Sequence, residues 1–213
     1  RQVVTHMTSA YAGSTELRFD AIGPVVGQEL RKKSSQGLAV IFIAILLYVA
    51  YAFRKVSFPV KSWKYGLVTL LAAFHDIIIP LGVFAALGHF YGMEIGTPFI
   101  AAILTIMGYS ITDTIVVMDR IRENLQKTSG TFASVVDASI RQTAVRSFNT
   151  SMTTLLTLMA IFLFGGSSLH DFTLALIIGI AVGTYSSIFV ASPLLVTWDA
   201  WTRKDGRGKK ATA

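Results

Sequence analysis

Five apolar runs, at residues 37–53, 65–90, 98–118, 148–164 and 172–198, constrain this chain more than any other feature. A bilayer core takes roughly 20 apolar residues of helix. In hydrocarbon every backbone polar group must be satisfied within the span itself or by closing a barrel. Runs of this length call for transmembrane α-helices packed as a bundle. Composition agrees: 53% of residues are hydrophobic and only 15% charged, unlike a soluble globular chain. The net charge of +7 would suit nucleic acid only if gathered on one soluble surface. Here the basic residues are scattered between apolar runs, which points to a lipid bilayer and away from nucleic acid. Cysteine is absent, so there is no disulfide framework and no thiolate metal site.

Residues 1–35 form a lead-in of different character, polar and spotted with Gly and Ser. Glu16-Leu17-Arg18-Phe19-Asp20-Ala21-Ile22 alternates as a half-buried strand does, and Gly23-Pro24 stops it. Val26 to Lys33 then reads as a basic helix start. The expected fold is therefore all-α, five spans, with an N-terminal remnant of an α/β domain whose remainder lies outside the sequence. The chain starts at Arg1 rather than Met, with no signal-peptide order, and reads as a fragment. The expected domains are the lead-in 1–35, a membrane domain 36–201 and a basic tail 202–213.

Five spans put the two ends on opposite sides. Segments 54–64 and 119–147 and the tail hold Lys and Arg, whereas loops 91–97 and 165–171 hold none. The positive-inside rule then makes the tail cytoplasmic. Arg31, Lys32 and Lys33 argue the other way, but a folded outer domain translocates largely regardless of charge. Within the spans, Thr97 and Pro98 suit a helix start, and Pro80 predicts a kink. Gly179, Gly183, Ser187 and Ala191 recur every four residues, a stripe on which another helix can lie close. Phe132, Val135, Val136 and Ile140 predict a short amphipathic helix along the cytoplasmic surface, with Asp137 and Arg141 paired on its polar side.

Few ionisable residues fall inside the runs: His75 and Asp76 in one, Asp113 in another, and Arg146 at the start of a third. A charged Asp at the centre of a membrane helix costs roughly 2.5–3.5 kcal/mol. Asp113 stands among Ile, Val and hydroxyl residues, six positions before the charged run Asp119-Arg120-Ile121-Arg122-Glu123-Asn124. That run pairs with itself at helical spacing, Asp119 with Arg122, Arg120 with Glu123, and Glu123 with Lys127, as suits a helix emerging into water. His75-Asp76 also suits a helix-end pair that reaches interfacial water. Asp113 can be neutralised by a proton and Arg146 cannot, so the two could form a proton-coupled switch. Ser110, Thr112, Thr114, His75, Asp76, Thr150 and Ser151 are the expected polar support, although hydroxyls in such helices more often bond their own backbone carbonyls. No nucleophile–base set, metal spacing or phosphate loop is present. A non-enzymatic protein without cofactor is expected.

The run Gly108-Tyr109-Ser110-Ile111-Thr112-Asp113-Thr114-Ile115-Val116-Val117, continued by Asp119 to Asn124, resembles the signature of the SecF protein-export family. Gly23-Pro24 with Val25 to Leu30, Phe74-His75-Asp76-Ile77-Ile78, and Arg146 with Thr150-Ser151 and Thr153-Thr154 agree, in order, over residues 22–198. The sequence departs from the family at Thr112, where Asn is frequent, and at Pro80. The resemblance implies a multi-pass subunit of the bacterial inner membrane within the resistance-nodulation-division superfamily. It implies SecD as partner, the SecYEG channel as neighbour, and a proton or sodium gradient driving preprotein export. It further implies that residues 1–35 end a first periplasmic domain. A small-molecule or lipid exporter of the same superfamily is the rival reading, and a passive assembly subunit the third.

Overall fold

Each apolar run folds as a long α-helix in the computed structural model, which describes residues 24–54, 60–93, 96–127 and 130–211. In chain order the helices are α1 (Pro24–Ala52), α2 (Ser62–Tyr91), α3 (Thr97–Lys127), α4 (Phe132–Phe164) and α5 (Ser167–Ser186). One π turn (Ser187–Ala191) then leads into α6 (Ser192–Ala211). Five stretches are long and apolar enough to cross a membrane: Lys32–Ala52, Ser62–Tyr91, Pro98–Lys127, Phe132–Phe164 and Ser167–Thr202. The last span therefore consists of α5, the π turn and the start of α6.

The fold class needs one correction. No strand and no α/β remnant occur among the described residues, whose fold is all-α. Residues from Pro24 onward are helical and run without a break into the first span. Pro24 suits a helix start because its missing N–H would have no partner there anyway. Glu29 and Lys33 pair one turn apart at 2.8 Å and support the same helix. The strand expected at Glu16–Ile22 lies outside the described residues. The chain divides into two units, Arg1–Gln36 and Gly37–Ala213; in the first, the described residues are the opening of α1.

A second correction concerns α4. The amphipathic segment that starts at Phe132 is not a separate surface helix; it is one piece with the span, 33 residues in all. Thr131 caps it, accepting from the Ser134 N–H at 3.3 Å. Phe132, Val135 and Val136 are buried, and two of them join a core cluster with Val117, Met118 and Ile121 of α3. Asn124 reinforces that contact, its Nδ2 donating to Ser139 Oγ at 2.9 Å and to Gln142 Oε1 at 3.0 Å. The expected ion pairs Asp119–Arg122, Arg120–Glu123, Glu123–Lys127 and Asp137–Arg141 all form.

Two helices are held close by glycine. A Cβ on Gly179 would come within 2.4 Å of Ile106, and one on Gly183 within 3.1 Å of Ser110 Cβ. The small-residue stripe is therefore the surface on which α3 lies, and all four of its members are buried. α2 continues unbroken through Pro80. It ends at Gly92, whose φ of 67° is left-handed and whose N–H returns to Gly88 O.

The apolar core of this second unit falls into two clusters. One contains Ile103, Ile106, Met107 and Ile111 of α3 with Leu176 and Ile180 of α5. The other contains Val117, Met118 and Ile121 of α3 with Ala191 and Leu195 of the last span. Along α3 they meet around residues 111–117, and along the last span between Ile180 and Ala191. The polar layer lies at this junction.

Candidate functional site

On α3, Ser110 and Asp113 are three residues apart and share a helix face. The facing surface of the last span offers Ser186 and Ser187, the final residue of α5 and the first of the π turn. Ser187 Oγ donates to Asp113 Oδ2 at 2.5 Å. Ser186 Oγ donates to Asp76 Oδ2 at 2.7 Å, and Ser110 Oγ donates to that same oxygen. The other carboxylate oxygen, Asp76 Oδ1, lies 2.9 Å from His75 Nδ1. Three helical segments are thus joined through two carboxylates and three serines.

Ser186 and Ser187 sit where α5 passes into the π turn. Ser192 Oγ reaches back five residues to Ser187 O at 2.9 Å. Single π turns inside α-helices often mark functional sites.

The carboxylates differ in environment. Asp76 is fully buried, so the two do not form an exposed pair; the His75 side chain is 37% exposed. Asp113 is half-buried and opens on a cleft of about 330 Å³ between α3 and α4, lined also by Tyr109, Thr112, Arg146, Ser147 and Thr150. Arg146 is exposed, midway along α4 rather than at a helix start. No ion pair joins it to Asp113 among the described residues; the two share the cleft. Arg146 also borders a second cleft of about 400 Å³, with Tyr48, Phe53, Asp119 and Arg122.

Of the expected polar support, Ser110 holds Asp76, and Thr112 donates to its own backbone at Gly108 O. Thr114 is buried with its hydroxyl unpartnered. Thr150 lines the cleft. Ser151 accepts from Thr184 Oγ1 at 2.6 Å and from Tyr109 OH at 3.3 Å, linking α3, α4 and α5. Thr69, Thr105, Thr153 and Thr173 bond the preceding turn of their own helices, the general habit of hydroxyls in apolar helices. Sequence reasoning missed Ser186, Thr184 and Tyr109, and counted Ser187 only as a small residue. The available signal was the adjacent Ser186-Ser187 in an otherwise apolar run. No group of three His, Cys, Asp or Glu among the described residues could hold a metal ion.

Residues 2–201 match the family model of the protein export membrane protein SecD/SecF, C-terminal. The chain belongs to the SecD/SecF family. Among SecD/SecF relatives it is 48% identical over 194 residues to protein translocase subunit SecF of Thermobaculum terrenum, covering 91% of this chain and 60% of that one. It is 45% identical over 186 residues to protein translocase subunit SecDF of Thermus thermophilus, covering 87% of this chain and 24% of that one. A crystal structure of SecDF from the same genus, described as a translocon-associated membrane protein, superposes with a TM-score of 0.81 at 42% identity, over 93% of this chain and 26% of that one. SecDF in its super-membrane-facing form gives 0.75 at 38% identity, over 100% and 27%. The chain spans about 60% of the length of the SecF relatives it first matches.

Proposed function

We propose that this chain is the multi-span membrane part of a SecF-type subunit that works with SecD beside the SecYEG channel and uses an ion gradient to assist preprotein export. In this reading the basic tail faces the cytoplasm of a bacterial cell, and Asp113 is the residue that takes and releases the proton. The observation that carries the reading is the position of Asp113 itself. Its carboxylate accepts from Ser187 on one side and faces the Arg146 cleft on the other. An ionisable group at that depth, with an opening, is a functional position by default.

Arg146 makes no ion pair with Asp113 among the described residues, so its guanidinium is available to approach an ionised Asp113 and to withdraw when the carboxyl is protonated. The helices α3 and α4 then prefer different separations in the two states. Moving one elementary charge through 100 mV releases about 2.3 kcal/mol, which biases a two-state equilibrium by some tens of fold. The test is gradient-driven preprotein export by the full-length subunit with SecD in membrane vesicles. Asp113→Asn is expected to assemble normally and to lose the response to the gradient. An unchanged response would leave Asp113 structural and favour the passive assembly subunit.

A further inference from the structure

We propose that Asp76 is a positioning residue for Asp113, acting through the serine pair at the π turn. This rests on the reading of Asp113 as the coupling carboxylate. Asp76 stands on α2, fully buried, and does not line the Asp113 cleft. What it grips is informative. Its Oδ2 accepts from Ser110, one turn before Asp113 on α3, and from Ser186, the residue next to Ser187. Each half of the Asp113–Ser187 hydrogen bond therefore has a nearby residue, Ser110 one turn away or Ser186 next in sequence, tied to one oxygen of a third helix. Gly183 makes room for this: its Cα face lies against Ser110, and an added Cβ would stand 3.1 Å from Ser110 Cβ and 3.7 Å from Asp76 Oδ2. His75 fixes the second oxygen, with Nδ1 at 2.9 Å from Oδ1, so the carboxylate is held from three directions.

The consequence follows from hydrogen-bond chemistry. A carboxylate oxygen accepts from two hydroxyls at once. An alanine in its place accepts from none of them, whereas an asparagine could keep both serines on its carbonyl oxygen and donate to His75. Asp76→Ala therefore removes both acceptors that Ser110, Ser186 and His75 hold. Ser186 is then released at the start of the π turn, and the adjacent Ser187 hydroxyl loses its fixed aim at Asp113. Asp76 acts on Asp113 by geometry rather than by carrying an ion.

A double-mutant cycle tests this, using the full-length subunit with SecD in vesicles and reading the ratio of export rates with and without the gradient. Asp76→Ala and Ser187→Ala should each lower the ratio about tenfold, the scale of one hydrogen bond to a charged group. The double variant should lose no more than the stronger single, because both act through the same hydroxyl. A double loss near the product of the singles, about a hundredfold, overturns the inference. Ser186→Ala replaces Asp76→Ala in the same cycle if the latter does not fold, with the same two outcomes. Asp113→Asn is run alongside: if it still responds to the gradient, the reading of Asp113 fails and this inference with it. A gradient-dead Asp113→Asn with multiplicative Asp76 and Ser187 losses overturns the positioning role alone.

Discussion

Ser187 donates to Asp113 across the seam between the last span and α3, so the described partner of the membrane carboxylate is a hydroxyl and not the arginine nearest in type. The arginine is across a cleft. An ionised Asp113 therefore has one strong donor in this state and room for a second.

Asp113→Asn and Arg146→Gln should each abolish the gradient response, and their losses should be strongly non-additive, as expected of partners in one switch. Arg146→Lys keeps the charge but loses the planar fork, so it should impair rather than rescue. Export rates across the four-membered cycle give the answer. Strictly additive losses would mean that the two residues act separately.

Gly179 is the tightest point of the α3–α5 seam, with Ile106 carbons 2.4 Å from where a Cβ would sit. Gly179→Ala should destabilise the bundle by about 1–3 kcal/mol through overpacking. Adding Ile106→Val should recover part of that. Thermal melting in detergent is the measurement, and an unchanged midpoint for Gly179→Ala would mean that the seam is looser than described.

The sidedness prediction uses the absence of cysteine. Ser134, near the start of α4, and Ser168, near the start of α5, are both exposed and sit at opposite ends of the α4 span. Ser168→Cys should react with an impermeant maleimide added to intact spheroplasts, and Ser134→Cys only after permeabilisation. The reverse order would invert the orientation.

Asn124 is buried and bridges α3 to Ser139 and Gln142 of α4. Asn124→Ala should cost about 1–3 kcal/mol, since two partners lose a buried bond. Denaturant unfolding measures it, and amide exchange should rise along 132–142 more than along the apolar half of α4.

The five spans were legible because hydrocarbon allows few backbone solutions, and the small-residue stripe because a period of four on a helix is a face. Helix ends were less legible. Hydropathy falls at Gln142, Thr143 and Arg146, and the sequence reading ended the span there, yet the backbone hydrogen bonds of α4 continue through all three. The α/β remnant was misjudged for a related reason: alternation over seven residues is local, and the described chain after it is a helix that begins at Pro24 and needs no sheet. Asp113 stood out by its apolar neighbours, whereas Asp76 read equally as polar support or as a helix-end residue, because nothing local reveals that Ser186, 110 residues later, covers it. A π turn has no composition of its own, so Ser187 was legible only as a small side chain.

The continuity of α4 has a mechanical consequence. From Phe132 to Arg146 the helix measures about 21 Å at 1.5 Å per residue, with no break at which bending could be absorbed. Arg146 therefore sits partway along a stiff rod whose first turns are packed on α3 through Phe132, Val136 and the Asn124 bridge, so a tilt at the cleft carries the end of α3 with it. Whatever binds that shared end is joined to the Arg146 cleft by a rigid connection.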